Sequence, residues 1–115
     1  MAVRAAKTHG ERVWWVAPTY LLAFHPWNLF KRRFGFEWTQ KLEGDHHIEL
    51  PSGGSITVKT ADYPDGLRGV GLDLVVVDEA AFIDEEIWTA CLRPALSDRG
   101  GKAIFLSTPR GRNWF

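Results

Sequence analysis

Continuous runs of apolar residues recur along the chain and alternate with polar, turn-forming segments. The runs VWWVA at 13–17, DLVVV at 73–77 and KAIFL at 102–106 each end at a polar residue or a proline. Unbroken apolar runs of this length favour strands that are buried on both faces of a sheet, as parallel strands are. We therefore predict three buried strands at these positions.

Helices and a hairpin are predicted between these strands. Residues 19–34 carry apolar side chains at mixed helical spacing, and Pro26 must begin a new helix or kink the first one. A second helix over 85–92 follows Asp84, whose carboxylate can cap the first turn. Residues 47–59 alternate apolar and polar side chains around PSGG. This alternation is typical of a β-hairpin with one buried face.

Turn-forming residues mark the other connections. The first residues look like the end of an Ala-rich helix that Gly10 stops. The segment YPDGLRGVGL at 63–72 predicts a loop, and SDRGG at 97–101 predicts a turn. Strands separated by helices and long connections predict an α/β fold with a mostly parallel sheet, flanking helices and a β-hairpin. Functional groups gather at the carboxyl ends of the strands in such a sheet.

Composition limits the class of protein without identifying it. The 115 residues, 45% of them apolar, suit one domain. Lys plus Arg equal Asp plus Glu at 14 each, so contact with a polyanion requires a local cluster such as Lys31-Arg32-Arg33 or Arg110 and Arg112. The single cysteine, Cys91, excludes an internal disulfide and favours a buried apolar role in a reducing compartment. No run approaches the roughly 20 apolar residues of a membrane span, which favours an intracellular protein with no membrane partner.

Two adjacent carboxylates, Asp78 and Glu79, directly follow the apolar run LVVV. This arrangement is the Walker B pattern, in which the first acid holds Mg²⁺ on a nucleotide and the second orients or activates water. We therefore assign Asp78 to the metal and Glu79 to catalysis. A solvated acidic turn after a core strand is the alternative that these residues alone leave open.

Other candidate groups follow the last predicted strand and the loop. Ser107 and Thr108 would place hydroxyls at the same sheet edge, near a phosphate; a simple turn before Pro109 is the alternative. Arg68 lies between glycines that allow close approach to a ligand or a neighbouring subunit, and it is otherwise a solvated loop arginine. The chain has no G-x-x-x-x-G-K-[ST] phosphate loop, because AAKTHG lacks the glycines and the preceding strand. The four histidines favour surface or packing roles over a metal site.

Three segments together resemble the ATPase domain of the large terminase subunit of tailed bacteriophages. They are VWWVAPTY, LPSGGSITVKTADYPDGLRGVGLDLVVVDEAAFIDEEIW and LRPALSDRGGKAIFLSTPRGRNWF. The resemblance implies an additional-strand, RecA-like ATPase sheet that uses ATP and Mg²⁺ to drive DNA through the portal into a procapsid. It implies that Asp78 and Glu79 are the Walker B acids, that Ser107 and Thr108 belong to a coupling motif at the nucleotide, and that Arg68 acts on a neighbour's ATP.

The resemblance also implies the partners and the location. They are double-stranded viral DNA, the portal protein, the small terminase subunit and further copies in a ring, in the host bacterial cytoplasm at the procapsid portal. Because the phosphate loop and the nuclease domain of the family are absent, residues 1–115 are expected to be a partial ATPase domain that is inactive alone.

Two other interpretations remain open. A superfamily-two helicase-like ATPase fragment would share the strand-end motifs, although the hairpin, LRG and STPRGRNWF suit a terminase better. A non-catalytic remnant would instead act as a binding module through exposed aromatic residues such as Trp27, Trp38 and Trp114.

Overall fold

The computed structural model describes residues 2–67 and 70–107, which fold around one six-stranded sheet with the order β2-β3-β4-β1-β5-β6. Strands β4, β1, β5 and β6 are parallel, whereas β2 and β3 form an antiparallel edge. The predicted fold class, a mostly parallel α/β sheet with flanking helices and a hairpin, is confirmed. The strands are β1 (Arg12–Ala17), β2 (Gln40–Leu42), β3 (His47–Glu49), β4 (Ser55–Thr60), β5 (Leu74–Val77) and β6 (Lys102–Phe105).

Helices cover both faces of this sheet. They are α1 (Ala2–His9), α2 (Tyr20–Phe34), α3 (Glu85–Ile87), a π-helical turn (Trp88–Leu92) and α4 (Arg93–Arg99), with 3-10 turns at Pro64–Leu67 and Ala80–Phe82. Helices α1 and α2 pack on one face, and the π-helical turn and α4 pack on the other. Within the described ranges, no helix combines the length and the apolar character required to cross a bilayer.

Strand β1 shows why the apolar runs are unbroken. Val13 and Ala17 face α1 and α2, whereas Trp14 and Val16 face α4. All four residues of β5 are buried and alternate between the two cores in the same way. A strand with helices on both sides needs apolar residues at every position, so these strands carry runs instead of alternation.

The hairpin is present, but its burial differs from the prediction of a single buried face. In β4, Thr57 is 5% exposed although it lies on the face opposite the buried Ile56 and Val58. It is buried because β4 is an inner strand, paired with β1 and β3, and its hydroxyl lies 2.6 Å from Nδ1 of His47. The pattern of apolar and polar residues did not predict β2, whose three residues are all exposed.

The helical region after β5 is longer than predicted. The prediction ended the helix at residue 92 and placed a turn at 97–101, but α4 continues to Arg99 and only Gly100 and Gly101 form the turn. Pro94 is tolerated because it lies near the start of α4, after a widened turn in which the Arg93 N–H donates to Trp88 O. Asp84 is the N-cap of α3, but its side chain makes no capping hydrogen bond.

Helix α2 continues through Pro26, so of the two alternatives expected there, a new helix or a kink, the new helix is excluded. Its N-cap is Thr19, whose side-chain oxygen accepts a hydrogen bond from the Leu22 N–H at 3.3 Å. Trp27 is 1% exposed, because it packs in the core beneath α2, so the prediction of an exposed Trp27 is also wrong. Trp38 is half-buried, and Trp114 lies outside the described residues.

Cys91 is buried in the core beneath α4, as predicted. His46 has the packing role that the sequence favoured for the histidines. Its ring is stacked between Tyr20 and Trp27, with ring centroids 5.8 and 5.0 Å away, and Phe24 meets it edge-on at 5.3 Å. Only 5% of His46 is exposed, so this aromatic cluster joins α2 to the loop before β3.

Burial lowers the pKa of His46 below its ordinary value, and this is the largest influence on it. The nearby charges act in both directions, because Glu43 and Asp45 raise the pKa whereas Lys31 lowers it. The folded state therefore binds the proton more weakly than the unfolded state does.

We predict that stability declines as pH falls from about 6.5, the ordinary pKa of histidine, towards the lowered pKa of His46. In this window the unfolded chain takes up the proton and the folded chain resists it. Urea denaturation at several pH values should show this slope, and His46→Gln should reduce it. The matched variant His25→Gln, at an exposed position, should leave the slope unchanged. An unchanged slope in His46→Gln would contradict this account.

Candidate functional site

The parallel strands β5 and β6 bring two predicted site residues to one edge of the sheet. Asp78 directly follows β5, and Ser107 follows β6 after one intervening residue, Leu106. The N–H of Leu106 donates to Val77 O at 2.9 Å, and its carbonyl accepts the N–H of Ala80 at 2.9 Å. These backbone hydrogen bonds fix the ends of the two strands relative to each other beyond the last ladder pair.

Asp78 is held from the side of β1. Its N–H donates to Val16 O at 2.8 Å, and its Oδ2 accepts the indole N–H of Trp15 at 3.3 Å. The Trp15 ring is itself held edge-on against Phe30 of α2, with 5.6 Å between ring centroids. Sequence reasoning missed Trp15; its only signal was a hydrogen-bonding side chain within a strand that should otherwise be apolar. The carboxylate is thus oriented by a half-buried donor.

Glu79 has a left-handed backbone conformation, with φ 47° and ψ 52°. It begins the 3-10 turn Ala80–Phe82, and its carbonyl accepts the N–H of Phe82 at 2.9 Å. A residue with a Cβ atom is strained in this region, at a cost of about 1–2 kcal/mol. Strained backbone is found at functional sites when the surrounding structure enforces it. Here the turn redirects the chain sharply immediately after Asp78.

Ser107 contacts the turn that follows Glu79. Its Oγ accepts a hydrogen bond from the backbone N–H of Ala81 at 3.3 Å. The structure thus brings Asp78, Glu79 and Ser107 into one connected backbone region at the carboxyl ends of β5 and β6. The predicted residues Arg68 and Thr108 lie outside the described residues.

The part of the chain that the structure describes has no group of three or more His, Cys, Asp or Glu side chains that could hold a metal ion. Asp78 nevertheless suits Mg²⁺, which prefers oxygen ligands and keeps several waters. The Trp15 indole contacts Oδ2 alone, and within the described ranges Oδ1 has no protein hydrogen-bond partner. One carboxylate oxygen is therefore available as a ligand.

A cleft of about 830 Å³ at this edge lies beside the predicted site and does not include it. Asp78, Glu79 and Ser107 do not line it. Its charged lining residues are all acidic and are Asp62, Asp84, Glu85 and Glu86. Because an acidic cleft repels a triphosphate, we do not assign this cleft to the nucleotide. The strand-end residues remain the better candidate on chemical grounds.

The six-stranded, mostly parallel sheet has the fold of a phage large terminase ATPase domain, as comparison with solved structures shows. The chain superposes on the solved ATPase domain of the Thermus phage P74-26 large terminase, in a form with one arginine replaced by alanine, with a TM-score of 0.84 and 31% identity. The match covers 98% of this chain and 54% of that domain. A large terminase of a thermophilic bacteriophage, solved in complex with ADP, shares the fold with a TM-score of 0.60 and 18% identity over 86% of this chain and 26% of that one.

Curated sequences give the same result. The large terminase subunit of Escherichia phage T5 is 35% identical over 105 residues, which are 87% of this chain and 24% of that protein. The large subunit of Thermus phage G20c is 53% identical over 57 residues, 50% of this chain and 12% of that protein. No protein-family model matches the chain. The chain is a homologue of phage large terminase subunits over most of its own length and matches their solved ATPase domain, and it spans a quarter or less of these curated relatives.

The left-handed conformation of Glu79 predicts an unusual order of stability among variants. Glu79→Gly should be more stable to urea than Glu79→Ala by about 0.5–1 kcal/mol, because glycine adopts this conformation without steric cost. The matched pair Glu86→Gly and Glu86→Ala, within α3, should show the opposite order, since glycine weakens a helix. If Glu79→Ala were the more stable variant, the turn would not carry the strain described here.

Proposed function

We propose that this chain supplies the water-activating half of the ATPase site in the DNA-packaging motor of a phage terminase. The observation that supports the proposal most is the shared edge of β5 and β6. There Asp78 follows β5, and Ser107, which follows β6, is hydrogen bonded to the turn after Glu79. Acid and hydroxyl groups from neighbouring parallel strands at one edge are suited to a nucleotide and its attacking water.

Each acid has a distinct role in this proposal. Asp78 would hold Mg²⁺, which would offset the negative charge of the transferred phosphoryl group. Glu79 accepts a proton from a water molecule while the oxygen of that water forms a bond to the γ-phosphorus of ATP. The bond between that phosphorus and the β–γ bridging oxygen breaks, and ADP and phosphate leave. The backbone turn at Glu79 positions the base. Correct positioning of a general base relative to the attacking water raises the rate of such a reaction.

Ser107 and Thr108 are proposed to report the state of the nucleotide to the rest of the motor. The hydrogen bond between Ser107 and the Ala81 N–H is one direct link between the segment after β6 and the Walker B turn. A shift of the acids during hydrolysis would therefore move the segment that follows β6. This coupling role is shared with Thr108, and Arg68 is proposed to act in trans on the ATP of a neighbouring copy.

We propose that residues 1–115 form only part of the ATPase domain and that the phosphate loop and a nuclease domain lie outside them. Strand β6 is the edge of the sheet among the described residues, and Ala103–Phe105 are only half-buried where the neighbouring β5 is fully buried. A further parallel strand beside β6 would bury this edge and bring its own loop to Ser107. The isolated chain is then inactive; ATP turnover by the purified chain would contradict this.

Double-stranded viral DNA is the proposed substrate of the motor, and the basic last turn of α2 is suited to contact it. Lys31 is already paired with Glu43, but Arg32 and Arg33 are exposed. Exposed arginines bind phosphates of the DNA backbone without sequence preference. The portal protein, the small terminase subunit and a ring of copies are the proposed protein partners, in the host cytoplasm at the procapsid portal.

The terminase assignment is better supported than either alternative. A helicase-like fragment would have the same strand-end groups, but the curated and solved proteins that the chain matches are terminases. A binding module built on exposed tryptophans loses one of its three residues, because Trp27 is buried.

The role of Glu79 can be tested in a full-length large subunit that carries this sequence. Glu79→Gln should retain ATP binding, while turnover falls by about two to four orders of magnitude, the usual effect of losing a positioned base. Binding and single-turnover hydrolysis should be measured separately. The matched variant Glu49→Gln, at an exposed position in β3, should turn over normally. Parental turnover in Glu79→Gln would move the base to another residue.

A further inference from the structure

Two neighbouring residues of β1 hold Asp78, one through its backbone and one through its side chain. The Val16 carbonyl accepts the Asp78 N–H at 2.8 Å, and the Trp15 indole N–H donates to Asp78 Oδ2 at 3.3 Å. The backbone bond fixes the position of the residue, and the indole bond fixes the rotation of its carboxylate. The terminal torsion of an aspartate is otherwise broad, so the indole determines the direction in which each oxygen points.

The Trp15 ring is itself held in place. In β1, Trp15 pairs with Val76 of β5, two residues before Asp78, so the indole and the carboxylate lie on the same face of the sheet. Trp15 is half-buried against the core beneath α2, where Phe30 meets its ring edge-on, with centroids 5.6 Å apart. A packed indole is a more permanent donor than a water molecule, which loses entropy when it is immobilised.

The indole bond makes the two oxygens of Asp78 unequal. Oδ2 is directed to Trp15, whereas Oδ1 has no protein hydrogen-bond partner within residues 2–67 and 70–107. A carboxylate held in this way offers a metal ion one oxygen, because binding through both would require Oδ2 to turn away from the indole. Groups that hydrogen bond to metal ligands fix their orientation, and losing such a group weakens metal binding or activity by about 10–100-fold.

Coordination through one oxygen suits Mg²⁺ better than Ca²⁺. Mg²⁺ requires a nearly ideal octahedral arrangement and is usually bound by one or two carboxylates together with phosphate oxygens and water. Ca²⁺ takes about six to eight oxygen ligands in a flexible arrangement and accepts both oxygens of one carboxylate. A carboxylate that is restricted to one oxygen therefore removes a ligand that Ca²⁺ could use and that Mg²⁺ does not need.

We propose that Trp15 is a positioning residue that holds Asp78 as a one-oxygen ligand and thereby makes the candidate site prefer Mg²⁺ over Ca²⁺. The proposal rests on the proposed role of Asp78 as a metal ligand. It gives one of two adjacent tryptophans a role beyond packing. Trp14 lies on the opposite face of the sheet, in the core beneath α4, and is 3% exposed.

Metal preference can be measured as nucleotide affinity, without turnover. The Kd of a fluorescent, non-hydrolysable ATP analogue is measured in excess Mg²⁺, in excess Ca²⁺ and in EDTA, with a full-length large subunit that carries this sequence. The parent should bind the analogue more tightly in Mg²⁺ than in Ca²⁺. Trp15→Phe keeps a packed ring without the indole N–H, and it should lose about tenfold in affinity in Mg²⁺ but less than about threefold in Ca²⁺. A merely structural role would lower both affinities by the same factor.

Trp38→Phe is the matched control. Trp38 is also half-buried and donates its indole N–H, at 2.9 Å, to the carbonyl of Gly35, which lies beyond the last turn of α2. This variant should bind the analogue as the parent does in both metals. Circular dichroism identifies misfolded variants. If Trp15→Phe fails to fold, Trp15 is replaced by 3-benzothienylalanine, in which sulfur takes the place of the indole N–H, and the same selective loss is expected.

Asp78→Asn separates this proposal from the proposed function. It should lose most of the affinity that either metal adds over EDTA, because the ligand itself is altered. If it does, the Trp15 proposal is overturned by a parent that does not prefer Mg²⁺, by parental affinities in Trp15→Phe, or by a loss in Ca²⁺ as large as that in Mg²⁺. If Asp78→Asn instead keeps the gain from metal, the metal role of Asp78 is wrong and the proposal fails with it.

Discussion

The direct pairing of β5 with β6 is the constraint on which the candidate site depends. Parallel pairing brings the carboxyl ends of both strands to one edge, and the bonds from Leu106 N–H to Val77 O and from Ala80 N–H to Leu106 O extend the contact past the strands. Asp78 and Ser107 are separated along the chain by α3, the π-helical turn, α4 and β6. Without this pairing the two polar segments would be independent turns.

Burial on both faces explains why polar groups concentrate at this edge. The inner strands bury apolar side chains against α1 and α2 on one side and α4 on the other, so carboxylates are excluded until the strand ends. Asp78, directly after β5, is the first residue that is not required to be apolar. The chain then turns sharply through Glu79. The strained turn at Glu79 lies where the buried strand has just ended.

The sequence predicted the features that depend on local pattern and missed those that depend on tertiary contacts. Apolar runs identified β1, β5 and β6 to within one residue, and the positions of Asp78, Glu79 and Ser107 at the ends of β5 and β6 followed from those bounds, whereas their roles stay a prediction. The exposed strand β2 has no pattern of its own and forms only by pairing with β3. The hydrogen bond from the Trp15 indole to Asp78 and the backbone conformation of Glu79 could not be predicted either, because both arise when separate segments pack together.

The central claim is that the shared edge of β5 and β6 is where the motor hydrolyses ATP. It is tested most directly by a crystal structure of a full-length large subunit carrying this sequence, with Mn²⁺ in place of Mg²⁺ and a non-hydrolysable ATP analogue. Anomalous scattering should place Mn²⁺ within direct or water-mediated reach of Asp78, with the γ-phosphate near Glu79 and Ser107. A metal and nucleotide bound elsewhere, with these residues facing only solvent or protein, would contradict the account.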